Sequence, residues 1–209
     1  MEAAFGVSFP EPKGMDTMAC LKAAEAGAID SAVIMGGNLW GATPDTAFAS
    51  RAMEAIGFKL FLTTTLNMGH VHGLGNGAVL VLPVTARDEE WEPTTQESMF
   101  NYVRLSDGGI RRLDNVRPES WILGEIGARV LPASPIDFKA FSAHAKVRDA
   151  IAAIVPGMEE LADIDVAKRE FHIKHRVMHT PQFGTPDGKA HFVVTPLPQM
   201  APATLTLAT

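Results

Sequence analysis

Cysteine is nearly absent from this sequence of 209 residues, in which Cys20 is the single example. One thiol cannot form an intrachain disulfide, and it cannot by itself supply a four-cysteine zinc site or hold an iron–sulfur cluster. Long apolar runs are absent as well. The run over residues 78–84 is far short of the roughly 20 residues that a membrane-spanning helix needs. We therefore expect no contact with a membrane.

Basic residues are not concentrated anywhere in the chain. Lys and Arg number 18 against 24 Asp and Glu, the formal net charge is −6, and no extended Lys/Arg run occurs. This pattern argues against a surface that coats nucleic acid. The first residues lack the basic segment followed by an apolar segment that marks a secretory signal. The expected location is therefore cytoplasmic.

The sequence does have enough apolar material for a core, because 46% of its residues are hydrophobic and 20% are charged. These values are close to the averages for globular proteins. Short apolar runs, each followed by glycine, proline or polar residues, predict buried strands over residues 32–35, 60–64 and 78–82. Helical patterns precede the first two strands. This alternation predicts an α/β fold, a three-layer Rossmann-like domain with a mostly parallel sheet.

The helix starts carry capping signals. Asp16 is placed to cap a helix that ends near Gly27. For the next helix we expect Thr43 as the cap, Pro44 at the first helical position and Asp45 at the positive helix end.

The pattern changes after the third strand. Residues 98–105 and 110–113 are expected to form a hairpin around Asp107-Gly108-Gly109. A helix is predicted from Pro118, and another from Pro135 or Asp137 to Pro156-Gly157. We accordingly predict two parts. Residues 1–130 form the Rossmann-like domain, and residues 131–209 form a helix and an irregular C-terminal extension.

Two polar, glycine-bearing loops follow neighbouring strands of the predicted sheet. One is Met35-Gly36-Gly37-Asn38, and the other covers residues 63–73, with three threonines, an asparagine and two histidines. Ligands of open α/β sheets bind at the carboxyl ends of the strands, where both loops would lie. Glycine permits close backbone approach, and the polar side chains can bind a phosphate, a ribose or a purine. The alternative is a tight turn and a polar loop without a ligand.

Other polar clusters give weaker patterns. His70 and His72 lack a third metal ligand nearby, and the set His172, His175 and His179 lies among basic residues. The acidic residues 88–92 lack the spacing of a calcium loop and are expected to be solvated. Cys20 falls inside an amphipathic helix, and no serine stands in a G-x-S-x-G elbow. We therefore predict no metal site and no catalytic residue in this chain.

Seven motifs occur in order along nearly the whole chain. Gly36-Gly37-Asn38 with Ala42-Thr43-Pro44-Asp45 is similar to a "GGN…ATPD" signature, and Arg148-Asp149-Ala150-Ile151 with Val155-Pro156-Gly157 is similar to "IRDAI…VPGF". The others are Phe5-Gly6 with Pro10, Pro12 and residues 13–17; residues 63–67 with His70 and His72-Gly73; residues 80–83; residues 97–99 with Gly108; and residues 185–192. Together they resemble the molybdopterin-dependent oxidoreductases, specifically the alpha subunits of the formate-dehydrogenase-like branch.

The resemblance implies that the chain is an internal piece of a longer enzyme, its third, nucleotide-binding domain and the linker toward the last domain. The parent would carry out two-electron chemistry at molybdenum held by two molybdopterin guanine dinucleotides, with formate oxidation as the namesake reaction. The molybdenum ligand and any iron–sulfur cluster would lie outside this chain, which would not be catalytic alone. The implied cofactor-binding residues are Gly36, Gly37 and Asn38 near phosphate and ribose, and Thr63, Thr64, Asn67 and His70 near guanosine.

The implied partners are the remaining domains of the parent enzyme. The apolar surface that those domains would cover also predicts self-association through that surface. Two other interpretations stay open. The chain could be a stand-alone nucleotide-binding or scaffolding module without redox activity, or a small α/β enzyme that uses a metal at its histidines.

Overall fold

Three parallel strands form the predicted sheet. The computed structural model describes residues 1–9, 14–174, 176, 181–197 and 199 of the chain. Its parallel strands are β1 (Ser31–Met35), β2 (Phe58–Thr63) and β3 (Ala78–Pro83). The order is β1-β2-β3, with Val33, Leu60 and Leu80 side by side. Because β2 has a neighbour on both edges, its residues 59–63 are all buried.

Helices cover both faces of this sheet. On one face, α2 (Thr17–Glu25) and α4 (Thr46–Glu54) pack together, and their buried Leu21 and Ala52 belong to one apolar cluster. On the other face, α5 (Glu119–Val130) places Ile122 against Leu60 and Leu62. The three layers confirm the predicted fold class.

Asp16 begins α2 as predicted, because its carboxylate accepts a hydrogen bond of 2.8 Å from the backbone N–H of Ala19. The predicted cap of α4 is wrong. The Thr43 hydroxyl donates to the carbonyl of Leu39 at 2.7 Å and so serves the short helix α3 (Leu39–Ala42). The Asp45 carboxylate caps α4 instead, by accepting from the N–H of Phe48 at 2.9 Å.

A lysine is buried beneath α4. Lys59, in β2, has no exposed surface, and its ammonium donates to the carbonyls of Met53 and Ile56 at 3.0 and 2.7 Å. Met53 lies in the last turn of α4 and Ile56 just beyond the helix end, where backbone acceptors run out of helical N–H partners. Burial lowers the pKa of Lys59, and the negative charge of Glu54 partly opposes that shift.

A second sheet lies in the later part of the chain and is antiparallel. It consists of β4 (Thr94–Glu97), β5 (Tyr102–Ser106) and β6 (Phe171–His172), in the order β4-β5-β6. Its core includes side chains from the helix α7 (Ile164–Ala167) and from a neighbouring 3₁₀ turn over Glu159–Leu161. The buried members are Val103, Met158, Leu161, Ile164, Phe171 and Ile173.

The predicted hairpin around Gly108 is wrong, because the turn between β4 and β5 lies at residues 98–101. Asn101 adopts a left-handed conformation there (φ 60°), and Ser98 N–H donates to the Tyr102 carbonyl at 2.8 Å. Gly108 lies instead against the loop after β3: a Cβ on Gly108 would be 2.6 Å from the carbonyl oxygen of Glu90. This contact turns residues 110–113 away from β5, and they form no strand.

The long helix predicted from Pro135 or Asp137 to Pro156-Gly157 is divided. Asp137 caps a 3₁₀ turn over Phe138–Ser142, and α6 (His144–Ile154) begins separately after Ala143, whose backbone is extended. The carboxylate of Glu92, from a distant loop, accepts a hydrogen bond of 2.8 Å from the N–H of His144. An acceptor from elsewhere in the fold therefore stabilises a second helix start that the local sequence does not mark.

A buried arginine connects α6 to its surroundings. The Arg148 side chain donates to the carbonyl of Pro93 at 2.6 Å and to the carboxylate of Asp165, in α7, at 2.5 Å. Since Arg148 is almost fully buried, these two partners compensate for part of the desolvation of its charge, and its Nε has no hydrogen-bond partner among the described residues.

Met1–Ile173 form one compact unit, which also contains the short helix α1 (Glu2–Phe5). The division predicted at residues 130 and 131 falls inside this unit, at the end of α5, and stays a prediction. In the second unit, Lys174–Thr209, the described residues form no helix or strand. Within the described ranges, no helix combines the length and the apolar character that crossing a membrane requires.

Candidate functional site

The two predicted ligand loops meet at the carboxyl ends of β1 and β2. Met35 and Leu62 are partners in the parallel ladder, and the N–H of Gly36 extends the pairing by donating to the Leu62 carbonyl at 2.7 Å. The side-chain amide of Asn67 then donates to the Gly37 carbonyl at 2.9 Å. We call the joined loops, residues 36–38 and 67–70, the two-loop cradle.

Gly36 and Gly37 give the cradle its conformation. Both have left-handed backbones, with φ of 60° and 65°, which strain any residue that has a side chain. Space is open around both positions, since a Cβ on either would meet no atom within 4 Å. No hydrogen bond within the described residues uses the N–H groups of Gly37 or Asn38. The turn therefore presents two free donors beside open space.

Asn38 and Asn67 hold the cradle together. The Asn38 carbonyl oxygen Oδ1 accepts from the N–H of Gly41 at 2.8 Å, and Asn67 Oδ1 accepts from the N–H of Gly69 at 2.9 Å. Gly69 also lies directly against Asn38, because a Cβ on Gly69 would be 2.4 Å from Asn38 Oδ1. The two loops thus approach each other so closely that a side chain at position 69 would displace the Asn38 amide.

His70 lies below this surface. It is buried, with its ring edge-on to Phe61 at a centroid distance of 5.0 Å. Its Nδ1 accepts a hydrogen bond of 2.9 Å from the N–H of Asn67. Because a backbone N–H can only donate, this contact indicates the tautomer that carries its proton on Nε2.

The two predicted threonines differ in exposure. Thr63 is buried and donates its hydroxyl to the Thr65 carbonyl at 2.7 Å, whereas Thr64 is exposed. The structure therefore brings Gly36, Gly37, Asn38, Asn67 and His70 together at the carboxyl ends of β1 and β2, where hydrogen bonds join Asn67 to Gly37 and to His70. It places Thr63 and Thr64 at the adjoining end of β2.

An aromatic pair beside the cradle was not singled out from the sequence. The rings of Trp40 and His72 stack at a centroid distance of 4.4 Å and an angle of 15°, and Trp40 Nε1–H donates to the Ser50 hydroxyl at 2.8 Å. The Trp after the glycine turn was the available signal, but its partner lies 32 residues further along. His72 thus has an aromatic neighbour.

The weaker metal candidates can be placed in part. Among the described residues, no three His, Cys, Asp or Glu side chains come close enough together to hold a metal ion. His172 packs on Tyr102 with a centroid distance of 4.6 Å, while His175 and His179 lie outside the described residues. The acidic residues 88–92 were predicted to be solvated, but Glu89 is not. Its side chain is mostly buried and accepts a hydrogen bond of 2.9 Å from the N–H of Ala86.

Comparisons with known proteins relate this chain to oxidoreductases. Uncharacterized oxidoreductases of Mycobacterium tuberculosis and Mycobacterium bovis are each 32% identical to it over 208 residues. Protein YdeP of Escherichia coli is 24% identical over 202 residues. These alignments cover 94% and 91% of this chain but 26% of each relative, so the chain spans about a quarter of their length. No protein-family model matches it.

Proposed function

We propose that the two-loop cradle binds the nucleotide end of a molybdopterin guanine dinucleotide, within an oxidoreductase of the formate-dehydrogenase type. The observation that carries this proposal is the left-handed turn at Gly36 and Gly37, which has open space beside it and two unused N–H donors. The similarity of this chain to proteins named oxidoreductases supports the oxidoreductase part of the proposal.

In this proposal the backbone supplies the phosphate contacts. The N–H groups of Gly37 and Asn38 would donate to phosphate oxygens, because hydrogen bonds to a charged acceptor are stronger than those between neutral groups. Thr64, which is exposed, would face the guanosine. The buried Thr63 and His70 would support the loop from below, and Asn67 would keep the two halves of the cradle together.

When bound, the cofactor supplies two-electron redox chemistry at molybdenum, and this chain supplies binding and orientation. The seven predicted residues include no lysine or arginine, so phosphate binding would rest on backbone donors. We therefore expect weak nucleotide binding by the chain alone, and no turnover of formate with an acceptor dye.

Guanosine diphosphate is a suitable probe, because it carries the base, the ribose and the diphosphate of the nucleotide end. The test is an NMR titration of the 209-residue chain with millimolar guanosine diphosphate. We expect shifts at Gly37, Asn38 and Thr64. A Gly37→Ala substitution should weaken binding by about tenfold or more, because a side chain strains the left-handed conformation at φ 65° and displaces the N–H donors of the turn.

Gly27→Ala is the matched control. Gly27 is also left-handed (φ 72°), and a Cβ there would also meet no atom within 4 Å. Because Gly27 precedes β1, it lies near the amino ends of the parallel strands, whereas the cradle lies at their carboxyl ends. Absence of shifts in the cradle, or equal weakening in both variants, would contradict the proposal. If adenosine diphosphate binds equally well, the cradle binds phosphate but does not recognise guanosine.

A further inference from the structure

A separate cavity of about 640 Å³ lies within the first unit, between α5, the 3₁₀ turn over Phe138–Ser142 and the start of α6. Its walls are mainly apolar and include Leu123, Ile126, Phe138 and Phe141. The volume falls in the range of small-molecule sites. An apolar ligand body could therefore lie in this open cleft against its apolar walls.

One end of this cavity is polar and acidic. His144 Nε2 lies 3.0 Å from the Ser120 hydroxyl and 3.3 Å from Glu90 Oε2, and Glu119 is the next carboxylate. Burial, and then the negative charge of Glu90, raise the pKa of Glu119. Neither lysine nor arginine lines the cavity. The polar end thus offers two carboxylates, and His144 is the one side chain of the lining that can carry a positive charge beside them.

Glu90 has an unused acceptor at this end. Its Oε1 accepts a hydrogen bond of 2.7 Å from the Thr85 hydroxyl. Its Oε2 is shielded from solvent and accepts no hydrogen bond from the described residues; His144 is close to it without the geometry of one. The whole Glu90 side chain is 13% exposed. A buried carboxylate oxygen without a donor is costly, and a ligand that brings an N–H would relieve that cost.

The arrangement does not suit nucleophilic catalysis. In a Ser-His-acid relay the serine and the acid meet opposite nitrogens of the imidazole. Here Ser120 and Glu90 both approach Nε2, while Nδ1 lies 3.4 Å from the backbone carbonyl of Glu92. Nor do the described residues bring together three metal-ligating side chains. Binding is what this geometry supports.

We propose that the cavity binds a small amphipathic cation, an alkyl- or arylalkylammonium. Its apolar body would lie among Leu123, Phe138 and Phe141, and its ammonium would donate to Glu90 Oε2 beside Glu119. Charge complementarity selects this class, because an anion would face two carboxylates and a neutral molecule would leave the buried acceptor without a charged partner. This site takes the opposite charge from the two-loop cradle, and so it does not depend on the function proposed above.

Three ligands of nearly the same shape test the proposal: 3-phenylpropylammonium, 3-phenylpropan-1-ol and 3-phenylpropanoate. Each is titrated into the 209-residue chain near neutral pH, with affinity from calorimetry and location from NMR signals of Phe138 and Phe141. We expect the ammonium to bind about tenfold more tightly than the alcohol, as a hydrogen bond to a charged group allows, and the carboxylate to bind most weakly. Equal affinities, tightest binding of the carboxylate, or shifts confined to other residues would overturn the proposal.

Two variants locate the charge that matters. Glu90→Gln should lower ammonium affinity about tenfold while leaving alcohol binding within about twofold, because the amide keeps the shape and removes the charge. Glu119→Gln should also lower the ammonium affinity, by a smaller factor. This second variant keeps the proposal testable if Glu90→Gln fails to fold. The matched control is Glu160→Gln, since Glu160 pairs with Arg169 on the surface and does not line the cavity. If Glu119→Gln and Glu160→Gln bind the ammonium equally, the proposal is wrong.

Discussion

One face of the parallel sheet is closed by α2 and α4, whereas α5 covers the other face only in part. On the closed face, Leu21 and Ala52 are at most 3% exposed. On the α5 face, Leu60 is buried, but its neighbours Val33 and Leu80 are 51% and 45% exposed. Under α2 and α4 the helix contacts and Phe61 of the central strand are buried, and Val81 on the outer strand of this face is 36% exposed. On the α5 face, the apolar residues of the outer strands are exposed to a greater extent.

This difference shows that a hydrophobic sequence pattern does not by itself determine how much each residue contributes to stability. A run such as β3 predicts a strand buried on both faces, but β1 and β3 are the outer strands of the three and α5 lies over only part of their surface. Burial determines how much free energy an apolar side chain contributes. We therefore expect substitutions on the two faces to differ strongly in cost, although the residue types are the same.

The largest expected effect comes from a leucine pair. Leu21→Ala, on the closed face, should lower the free energy of unfolding by about 2–5 kcal/mol, because it leaves a cavity in a packed cluster. Leu80→Ala, on the α5 face, should cost under about 1 kcal/mol. Urea unfolding of both variants measures the two values. Similar costs would mean that the α5 face is covered in solution.

A glycine in the two-loop cradle should have the next largest effect. Gly69→Ala places a Cβ 2.4 Å from Asn38 Oδ1, and the resulting displacement should cost about 1–3 kcal/mol and weaken nucleotide binding. Gly14→Ala is the control, because a Cβ there meets no atom within 4 Å and its φ is ordinary. Urea unfolding and the guanosine diphosphate titration measure both effects. Equal stabilities would show that the two loops are not packed against each other.

Features with a local signal were predictable from the sequence. The Asp16 cap, the three parallel strands and the glycine turn at Gly36 all follow from residues within a few positions of one another. The predictions failed where a residue far away in the sequence determines the local structure. Glu92 begins α6 from 52 residues away, and the Glu90 loop redirects the chain at Gly108.

The sites show the same division. The position of the glycine turn at the end of β1 could be predicted, but its link to Asn67 spans 30 residues and depends on the strand register. The acidic end of the cavity was not predicted at all. Glu90, Ser120 and His144 come from three separate elements, and no spacing rule connects them before the fold is known.

The buried charge of Lys59 provides a test of whether α4 closes its face of the sheet to solvent. Lys59→Met would remove the hydrogen bonds that the ammonium donates to the Met53 and Ile56 carbonyls, of which the Met53 carbonyl keeps the Ile56 N–H as a donor at 3.2 Å. We expect a cost of about 1–3 kcal/mol. The wild-type pKa of Lys59 is lowered from 10.5 by burial, so the unfolded chain binds more protons between the lowered pKa and 10.5. Wild-type stability should therefore gain a contribution that rises with pH across this window, and Lys59→Met should lose that contribution.

Thermal unfolding across alkaline pH measures this difference. Lys22→Met is the control, because Lys22 is exposed on α2 and its removal should leave the alkaline profile unchanged. If Lys59→Met keeps the wild-type profile, the ammonium of Lys59 reaches solvent and the face is not closed there.

The smallest expected effect compares two glutamates of α5. Burial raises the pKa of Glu119, on the cavity side, from 4.5, whereas the hydrogen bond from Arg129 lowers the pKa of Glu125. The folded chain therefore holds the Glu119 proton longer than the unfolded chain, and this stabilising contribution is lost as pH rises above 4.5. For Glu125 the sign is reversed, and stability is lost as pH falls below 4.5. Thermal unfolding between acidic and neutral pH should thus show opposite changes of slope for Glu119→Gln and Glu125→Gln, and changes of the same sign would mean that the cavity end of α5 is as well solvated as its outer side.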